Sequence, residues 1–539
     1  MTEKLRIVLA QCNLLVGDIE GNMQKHVQLA KEALEKYQAD VIVFPELSLT
    51  GYPPEDLLYR KDFIRATMNA LDTLRSRVRD IYCVVGHPQP VENSQLHNAC
   101  SVFLNGKTLA VYAKHCLPNQ GVFDERRYFA PGKNICVLPI RGIPTGLVIC
   151  EDLWHPGPVE EAASAGARLI LSPNASPFEI DKYELRQSIL SARARVSNIP
   201  IFYTNFSGGQ DECVFDGGSM AVDSSGTVCQ CAGFFRENLL PVDLEITKDS
   251  IKIIQKDFAV PDRLERIYTA LVTGTRDYIV KNDLPGVLVG ASGGIDSALT
   301  LAIACDALGA SRVHAVMMPS RHTSTLSMEE AEALITNLGI SHETISIEPV
   351  FQSFLETPGI SSDEAGITAQ NLQARCRGTL LMALSNQTGK IVLTTGNRSE
   401  LAMGYATLYG DMAGGYSVLK DIPKTLVWEL ARYRNSLSAV IPERTLTREP
   451  TAELAPNQRD ADALPPYDIL DPILERYLNQ EESIENIIAA GFDRETVEKV
   501  VAKIRQSEYK RRQAPPGVRI DQKAFGRDRR YPLTSGWKK

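Results

Sequence analysis

No stretch of this chain approaches 18 uncharged apolar residues, so no segment reads as a membrane-spanning helix. Met1-Thr2-Glu3-Lys4-Leu5-Arg6 has no apolar core of the kind a secretory signal carries. Eleven cysteines are present, but no C-x-x-C pair, which points to reduced thiols and a cytoplasmic enzyme rather than a disulfide scaffold. Positive charge is not in excess either: the formal net charge is −8, so there is no global field to gather nucleic acid. There is no internal repeat. What remains is an ordinary globular composition, 44% hydrophobic and 23% charged. At 539 residues the chain exceeds a single core, and two or three domains are expected.

The most informative segment is Leu288-Val289-Gly290-Ala291-Ser292-Gly293-Gly294-Ile295-Asp296-Ser297. An apolar strand enters a glycine-rich turn, and the turn opens a helix that Gly309 closes. Such a turn points backbone N–H groups inward, and the helix dipole adds to them, forming a phosphate cradle. The two serines add hydroxyl donors, and Asp296 adds a carboxylate suited to Mg²⁺. The Walker A lysine is missing, because its slot reads Gly-Ile-Asp. The glycine spacing does not fit G-x-G-x-x-G. Gly290-Ala291-Ser292-Gly293-Gly294 does fit G-x-S-x-G, the turn of a hydrolase serine, but that chemistry needs a downstream histidine and none follows His342. S-G-G-x-D-S resembles the loop of the ATP-pyrophosphatases. That resemblance implies binding of ATP by Gly290, Ala291, Ser292, Gly293, Gly294, Ile295, Asp296 and Ser297, with cleavage between the α- and β-phosphates.

From Leu5 to about Asp243, short β-rich runs alternate with helical stretches such as Met23–Tyr37, Phe63–Val78 and Glu184–Val196. Strands are expected at Arg6–Cys12, Asp40–Phe44, Ile81–Gly86, Gly146–Cys150 and five further runs. Asp223-Ser224-Ser225-Gly226 reads as a hairpin turn. The charged stretch 248–261 ends in Pro261-Asp262, a helix start. The expected organisation is a first domain over 1–247, a linker over 248–261 and a second domain over 262–539. The second domain continues as strand, phosphate turn, helix and strand, the alternation of a doubly wound parallel sheet with ligand at the carboxyl ends of its strands. Arg448–Tyr467 is rich in Pro, Ala, Asp and Glu without periodicity, and reads as a mobile loop that closes over a site.

Three segments of the first domain carry reactive side chains. Glu46 follows the apolar run Val43-Phe44, Lys114 follows Tyr112-Ala113, and Cys150 ends Leu147-Val148-Ile149. Alone, each has an ordinary structural reading. Together they supply a base, a cation and a sulfur nucleophile, enough to form a thioester from an amide. Glu125 and Asp152 lie close in sequence and rank behind them. In order and local sequence the segments F-P-E-L-S-L-T-G-Y, Y-A-K-H-C-L-P-N and I-C-E-D-L-W resemble the Glu-Lys-Cys set of the nitrilase superfamily. That resemblance covers most of residues 1–245. It implies an αββα sandwich, Cys150 as nucleophile, Glu46 as general base and Lys114 as support for the oxyanion.

An amidase of this kind followed by an ATP-pyrophosphatase domain resembles the glutamine-dependent NAD⁺ synthetase family. The resemblance implies that ammonia from glutamine amidates adenylated deamido-NAD⁺, giving NAD⁺, AMP, pyrophosphate and glutamate. By residue, it implies glutamine binding at Gln120, Ser176 and Lys182. It adds ATP contacts at Thr395, Lys424 and Thr451, deamido-NAD⁺ contacts at Asn371, Arg375, Glu400 and Lys510, and Mg²⁺ at Asp296 and Glu400. It also implies a homo-oligomer and an ammonia tunnel between domains. One position departs from the family: L-P-N-Y-G-V-F-D-E becomes Leu117-Pro118-Asn119-Gln120-Gly121-Val122-Phe123-Asp124-Glu125. Glutamine binding survives that change if the backbone makes the contact, and differs if the ring does. Two rivals stand beside this reading. Another glutamine-fed ATP-pyrophosphatase, such as GMP or asparagine synthetase, would carry a different amidase domain, and the segments Asn371–Arg375 and Thr395–Glu400 argue against it. A non-catalytic nucleotide sensor would not need Glu46, Lys114, Cys150, Asp296 and Glu400 intact.

Overall fold

The computed structural model describes residues 3–92, 95–360, 366–456 and 458–537. The chain divides into two compact units, Met1–Pro261 and Asp262–Lys539.

In the first unit, period-two burial along Glu3–Gln11 sends Leu5, Ile7 and Leu9 to one face and Val8 and Ala10 to the other. Both faces are covered, so the strand is apolar on both. It lies in a seven-stranded sheet ordered Ile251–Ile253, Asn238–Ile246, Glu3–Gln11, Val41–Val43, Tyr82–Pro90, Leu96–Leu104 and Lys107–Ala113. The Leu5 face meets a six-stranded sheet ordered Val228–Cys231, Met220–Val222, Ile201–Thr204, Leu169–Pro173, Ile143–Leu147 and Val137–Ile140. Helices Ile19–Tyr37 and Lys61–Arg77 cover the outside of the first sheet. Pro158–Ser164 and Lys182–Ser197 cover the outside of the second. The result is the expected αββα sandwich.

Two expectations need correction. Residues 248–261, read as a linker, contain the strand Ile251–Ile253, which pairs antiparallel with Asn238–Ile246 and buries Ile253 in the inter-sheet core. The strand expected to run through Cys150 ends at Leu147, and Cys150 instead opens the 3₁₀ turn Cys150–Leu153. The Asp152 carboxylate causes the change by accepting from Ile149 N–H (2.9 Å), which wraps the chain back on itself.

In the second unit, five strands run parallel in the order Ser341–Thr344, Val313–Met317, Val287–Gly290, Ile391–Thr394 and Tyr416–Ser417. Val287, Leu288 and Val289 are fully buried, as strands covered on both faces are. The helix Ile367–Thr388 packs on one face, and Ile295–Leu308, the helix after the glycine-rich turn, packs on strands Val287–Gly290 and Val313–Met317. This is the doubly wound arrangement. No helix among the described residues is long and apolar enough to cross a membrane.

Candidate active sites

In the first unit the three expected residues come from loops at the ends of three strands, and all are buried: Glu46 1%, Lys114 1% and Cys150 5% exposed. Lys114 Nζ donates to Glu46 Oε1 at 2.6 Å and to Glu125 Oε1 at 2.9 Å. Tyr52 OH also donates to Glu125 Oε1 (3.0 Å). Asn98 Nδ2 donates to Glu46 Oε1 (2.6 Å) and lies 3.4 Å from Glu125 Oε2. Two carboxylates therefore share one ammonium and one amide. Burial works against the Lys114 charge, but Glu125 and Glu46 outweigh it and hold its pKa well above the ordinary lysine value. Burial pushes Glu125 up to about 7, with Lys114 opposing and Glu46 adding to the rise.

Cys150 sits in left-handed backbone, φ 45°, a conformation that a non-glycine residue holds only where its surroundings impose it. Asp152 is what imposes it. Its carboxylate is fully buried and accepts from Ile149 N–H (2.9 Å), Cys116 N–H (2.8 Å), His115 N–H (3.1 Å) and Tyr112 OH (2.8 Å). One side chain thus fastens the Cys150 turn to the segment that follows Lys114. Burial and then the Glu46 charge push the Cys150 thiol pKa well up, while Lys114 and the Ala175 N–H pull it down. The thiol therefore rests protonated and needs a base to become a nucleophile.

The Asn174-Ala175-Ser176 segment runs beside this site, with Glu46 N–H donating to Asn174 carbonyl (3.3 Å). Ser176 is 3% exposed and its N–H donates to Asn205 Oδ1 (2.9 Å). Lys182 pairs with Glu179 Oε2 (3.1 Å) and lies 5.1 Å from the Trp154 ring centre. Gln120 is exposed, and its backbone carbonyl accepts from Phe123 N–H (3.0 Å).

The second unit holds a cavity of about 310 Å³ at the carboxyl ends of its strands. The whole turn Gly290–Ser297 lines it, together with Thr395, Glu400, Lys424 and Thr451. Ser292 Oγ lies 3.0 Å from Ser297 Oγ and accepts from Gly294 N–H (3.2 Å), which braces the turn. Gly293 has φ 78°, and a Cβ there would lie 2.3 Å from the Ser327 carbonyl oxygen, so only glycine fits. Lys424, 2% exposed, forms ion pairs with Asp296 Oδ2 and with Glu400 Oε1, the latter at 3.1 Å. Asn397 ties the same two acids together: its Nδ2 donates to Asp296 Oδ1 (2.9 Å) and its Oδ1 accepts from Glu400 N–H (3.0 Å). Burial raises Glu400 to about 7, opposed by Lys424 and helped by Asp296 and Asp460. Among the described residues no group of three or more His, Cys, Asp or Glu is arranged to hold a metal. Mg²⁺ does not need such a group, since one or two carboxylates plus phosphate oxygens and water suffice. Asp296 and Glu400, already gathered around one cation, fit that requirement.

Asn371, Arg375 and Lys510 fall outside the cavity lining and converge on residues 404–408. Asn371 Oδ1 accepts from Thr407 Oγ1 (2.9 Å), Arg375 Nε donates to Leu408 carbonyl (3.2 Å), and Lys510 Nζ donates to the carbonyls of Gly404 (2.8 Å) and Ala406 (2.7 Å). The loop after Arg448 borders the cavity and is fastened. Glu453 Oε1 accepts from Ser324 Oγ, Ser327 Oγ and Arg448, each at 2.8 Å, and Thr451 Oγ1 donates to Gln458 carbonyl (2.5 Å). Asn98 had no sequence motif to announce it, and only strand register brings it to the site. Asp460 and Glu453 lie in the loop 448–467 without a signal of their own, while Asn397 lies within the segment Thr395–Glu400 and reaches the site as the cap of the helix Arg398–Met403.

Residues 6–248 match the carbon–nitrogen hydrolase family, and residues 267–514 match the NAD synthase family. The glutamine-dependent NAD(+) synthetase of Acinetobacter baylyi is 46% identical over 540 residues, covering 99% of both chains. The chain belongs to the glutamine-dependent NAD⁺ synthetase family. Another member, from Thermotoga maritima, is 44% identical over 575 residues, again covering 99% of both chains. Among solved structures, the family member from Acinetobacter baumannii in complex with ADP superposes with a TM-score of 0.80, at 44% identity and 99% coverage of each chain. The member from Cytophaga hutchinsonii shares the fold, with a TM-score of 0.81 at 21% identity, over 99% of this chain and 98% of that one.

Proposed function

We propose that this NAD⁺ synthetase, a carbon–nitrogen ligase fed by glutamine, divides its reaction between residues 1–247 and residues 262–539. The overall reaction is ATP + deamido-NAD⁺ + L-glutamine + H₂O → NAD⁺ + L-glutamate + AMP + pyrophosphate. In the first part, Glu46 takes the thiol proton of Cys150 and the sulfur attacks the glutamine amide carbon. Lys114 stabilises the oxyanion. The proton passes to the leaving nitrogen, ammonia departs, and water hydrolyses the thioester. Ser176, Lys182 and the backbone of Gln120 bind glutamine in this reading.

In the second part, the turn Gly290–Ser297 cradles ATP with Thr395, Lys424 and Thr451. Asn371, Arg375, Glu400 and Lys510 hold deamido-NAD⁺. Asp296 and Glu400 hold Mg²⁺, which when bound neutralises charge on the phosphates. The nicotinate carboxylate attacks the α-phosphorus, pyrophosphate leaves with its charge offset by Lys424, and ammonia displaces AMP. Ammonium has no lone pair and predominates at neutral pH, so a sheltered tunnel for ammonia belongs to this proposal. So do a homo-oligomeric state and a cytoplasmic location.

One observation carries the reading: a single chain holds both the sealed Glu46–Lys114–Cys150 set and the phosphate turn with its Asp296–Lys424–Glu400 group. Incubation with ATP, Mg²⁺, glutamine and deamido-NAD⁺ tests it. NAD⁺ formed with equimolar AMP is expected, and ADP in place of AMP would reject pyrophosphate release.

A further inference from the structure

Asn98 stands opposite Lys114 where strands Leu96–Leu104 and Lys107–Ala113 end their pairing, and Lys114 N–H donates to the Asn98 backbone carbonyl (2.8 Å). The Asn98 side chain is buried, 1% exposed. Its Nδ2 donates to Glu46 Oε1 at 2.6 Å and faces Glu125 Oε2 at 3.4 Å. Its Oδ1 has no hydrogen-bond partner among the described residues. The reverse orientation of the amide would set Oδ1 against two carboxylates, so only one orientation is stable. The side chain thus leaves a buried acceptor unpaired in order to aim its donors at the acids, which packing alone does not explain.

The consequence falls on Glu46. Its two oxygens are not equivalent: Oε1 accepts from both Asn98 and Lys114, whereas the buried Oε2 has no partner among the described residues. We propose that Asn98 is a positioning residue of the amidase reaction, which saturates Glu46 Oε1 together with Lys114 and so leaves Oε2 as the one oxygen that takes the Cys150 proton. This rests on the reading of Glu46 as the base. In the step, the Cys150 S–H bond breaks, the proton goes to Oε2, and the sulfur lone pair forms the bond to the amide carbon. The same proton then moves from Oε2 to the departing nitrogen as the C–N bond breaks, releasing neutral ammonia. The water that hydrolyses the thioester passes its proton to Oε2, and that proton returns to the sulfur. The other titratable groups around Glu46 are Lys114, Glu125, Tyr52, Cys100 and Cys150, and none of them donates to Oε2.

Asn98→Asp keeps the shape and turns the donors into acceptors beside Glu46. The expected result is a fall of about 100-fold in glutamine-driven kcat, with KM for glutamine nearly unchanged. The acid limb of the kcat–pH profile should move up by about one unit, because a new carboxylate makes Glu46 harder to ionise. Synthesis from added ammonia should stay near the parent rate, and a circular-dichroism spectrum and melting curve matching the parent report an intact first unit. If that control is lost, Asn98→Ala is read instead: a fall in kcat with a smaller limb shift is expected. Parent-like kcat in the folded variant overturns the proposal, and so does a lower kcat with an unmoved acid limb, which would be a packing effect. Glu46→Gln separates the two levels. If it keeps glutaminase activity, the assignment of the base fails. If it is inactive while Asn98→Asp behaves as the parent, only the role of Asn98 fails.

Discussion

Lys114 Nζ stands 2.6 Å from Glu46 Oε1, and neither side chain shows any exposed surface. A buried ammonium is tolerated only when acids surround it, and here one of those acids is the base of the proposed amidase step. On the proposed mechanism, the electrostatic support for the reaction and the pairing that makes the buried charge tolerable are one set of contacts.

Replacing Cys150 by Ala should lower glutamine-driven NAD⁺ synthesis on the order of 10³-fold or more, while synthesis from high added ammonia persists. Asp296→Ala should do the reverse, ending NAD⁺ and AMP formation while glutamate release continues. Paired assays of glutamate and AMP check both. A Cys150→Ala protein inactive with ammonia as well would mean that the two sites are not separable.

The raised Glu125 pKa makes a pH prediction. The native state holds the Glu125 proton up to about 7, whereas the unfolded chain releases it near 4.5. The native state therefore binds more protons between these values, and stability falls as pH rises through that window, by up to about 1.4 kcal/mol per pH unit. Lys114, raised above its ordinary value, contributes stability below its unfolded pKa and loses it only above the folded one, so it adds no slope here. Glu125→Gln removes the slope. The melting temperature of the parent minus that of Glu125→Gln should be larger at pH 5 than at pH 7.5. A gap that widened with pH would reverse the sign.

Lys424 serves as the cation between Asp296 and Glu400. Lys424→Met leaves those carboxylates without it, a loss of about 3–5 kcal/mol for a buried pair. Millimolar Mg²⁺ should then raise the melting temperature of Lys424→Met more than that of the parent. Equal shifts in the two proteins would remove Asp296 and Glu400 from the metal site.

The loop 448–467 should gain protection from hydrogen exchange when ATP and deamido-NAD⁺ are added, because an adenylate needs shelter from water. Glu453→Gln, which weakens the fastening to Ser324, Ser327 and Arg448, should lower protection without ligand. Equal exchange with and without substrates would mean that this segment does not close over the site.

The sequence displayed local features well. The turn Gly290–Ser297 is contiguous, and its chemistry is visible in its residues. The apolar run Ile7–Ala10 also marked a strand directly, but, being apolar on both faces, not which face meets the second sheet. Features built by register stayed hidden. Asn98 reads as an ordinary strand residue until Leu96–Leu104 is paired with Lys107–Ala113, which sets it opposite Lys114. Asp152 hid its role because its partners, His115 and Cys116, lie 37 and 36 residues away. The composition of 448–467 pointed to a loop, but not to the 3₁₀ turn Asp460–Asp462 inside it or to its fastening, since Ser324 lies 129 residues from Glu453. Ile251–Ile253 looked like linker because three residues on a sheet edge carry too little pattern to read.

The protonated, 5% exposed Cys150 has a pharmacological consequence. Simple electrophiles find thiols by their thiolate fraction and their access, and this thiol offers little of either. Cys116 and Cys136 are more exposed and would consume a generic alkylating reagent first. A covalent inhibitor of the amidase centre must instead resemble the substrate closely enough to enter, and place its reactive carbon where Glu46, the proposed base, can deprotonate the sulfur. Selectivity would then come from recognition rather than from warhead strength, and oxidants too large or too polar to enter would leave the nucleophile intact.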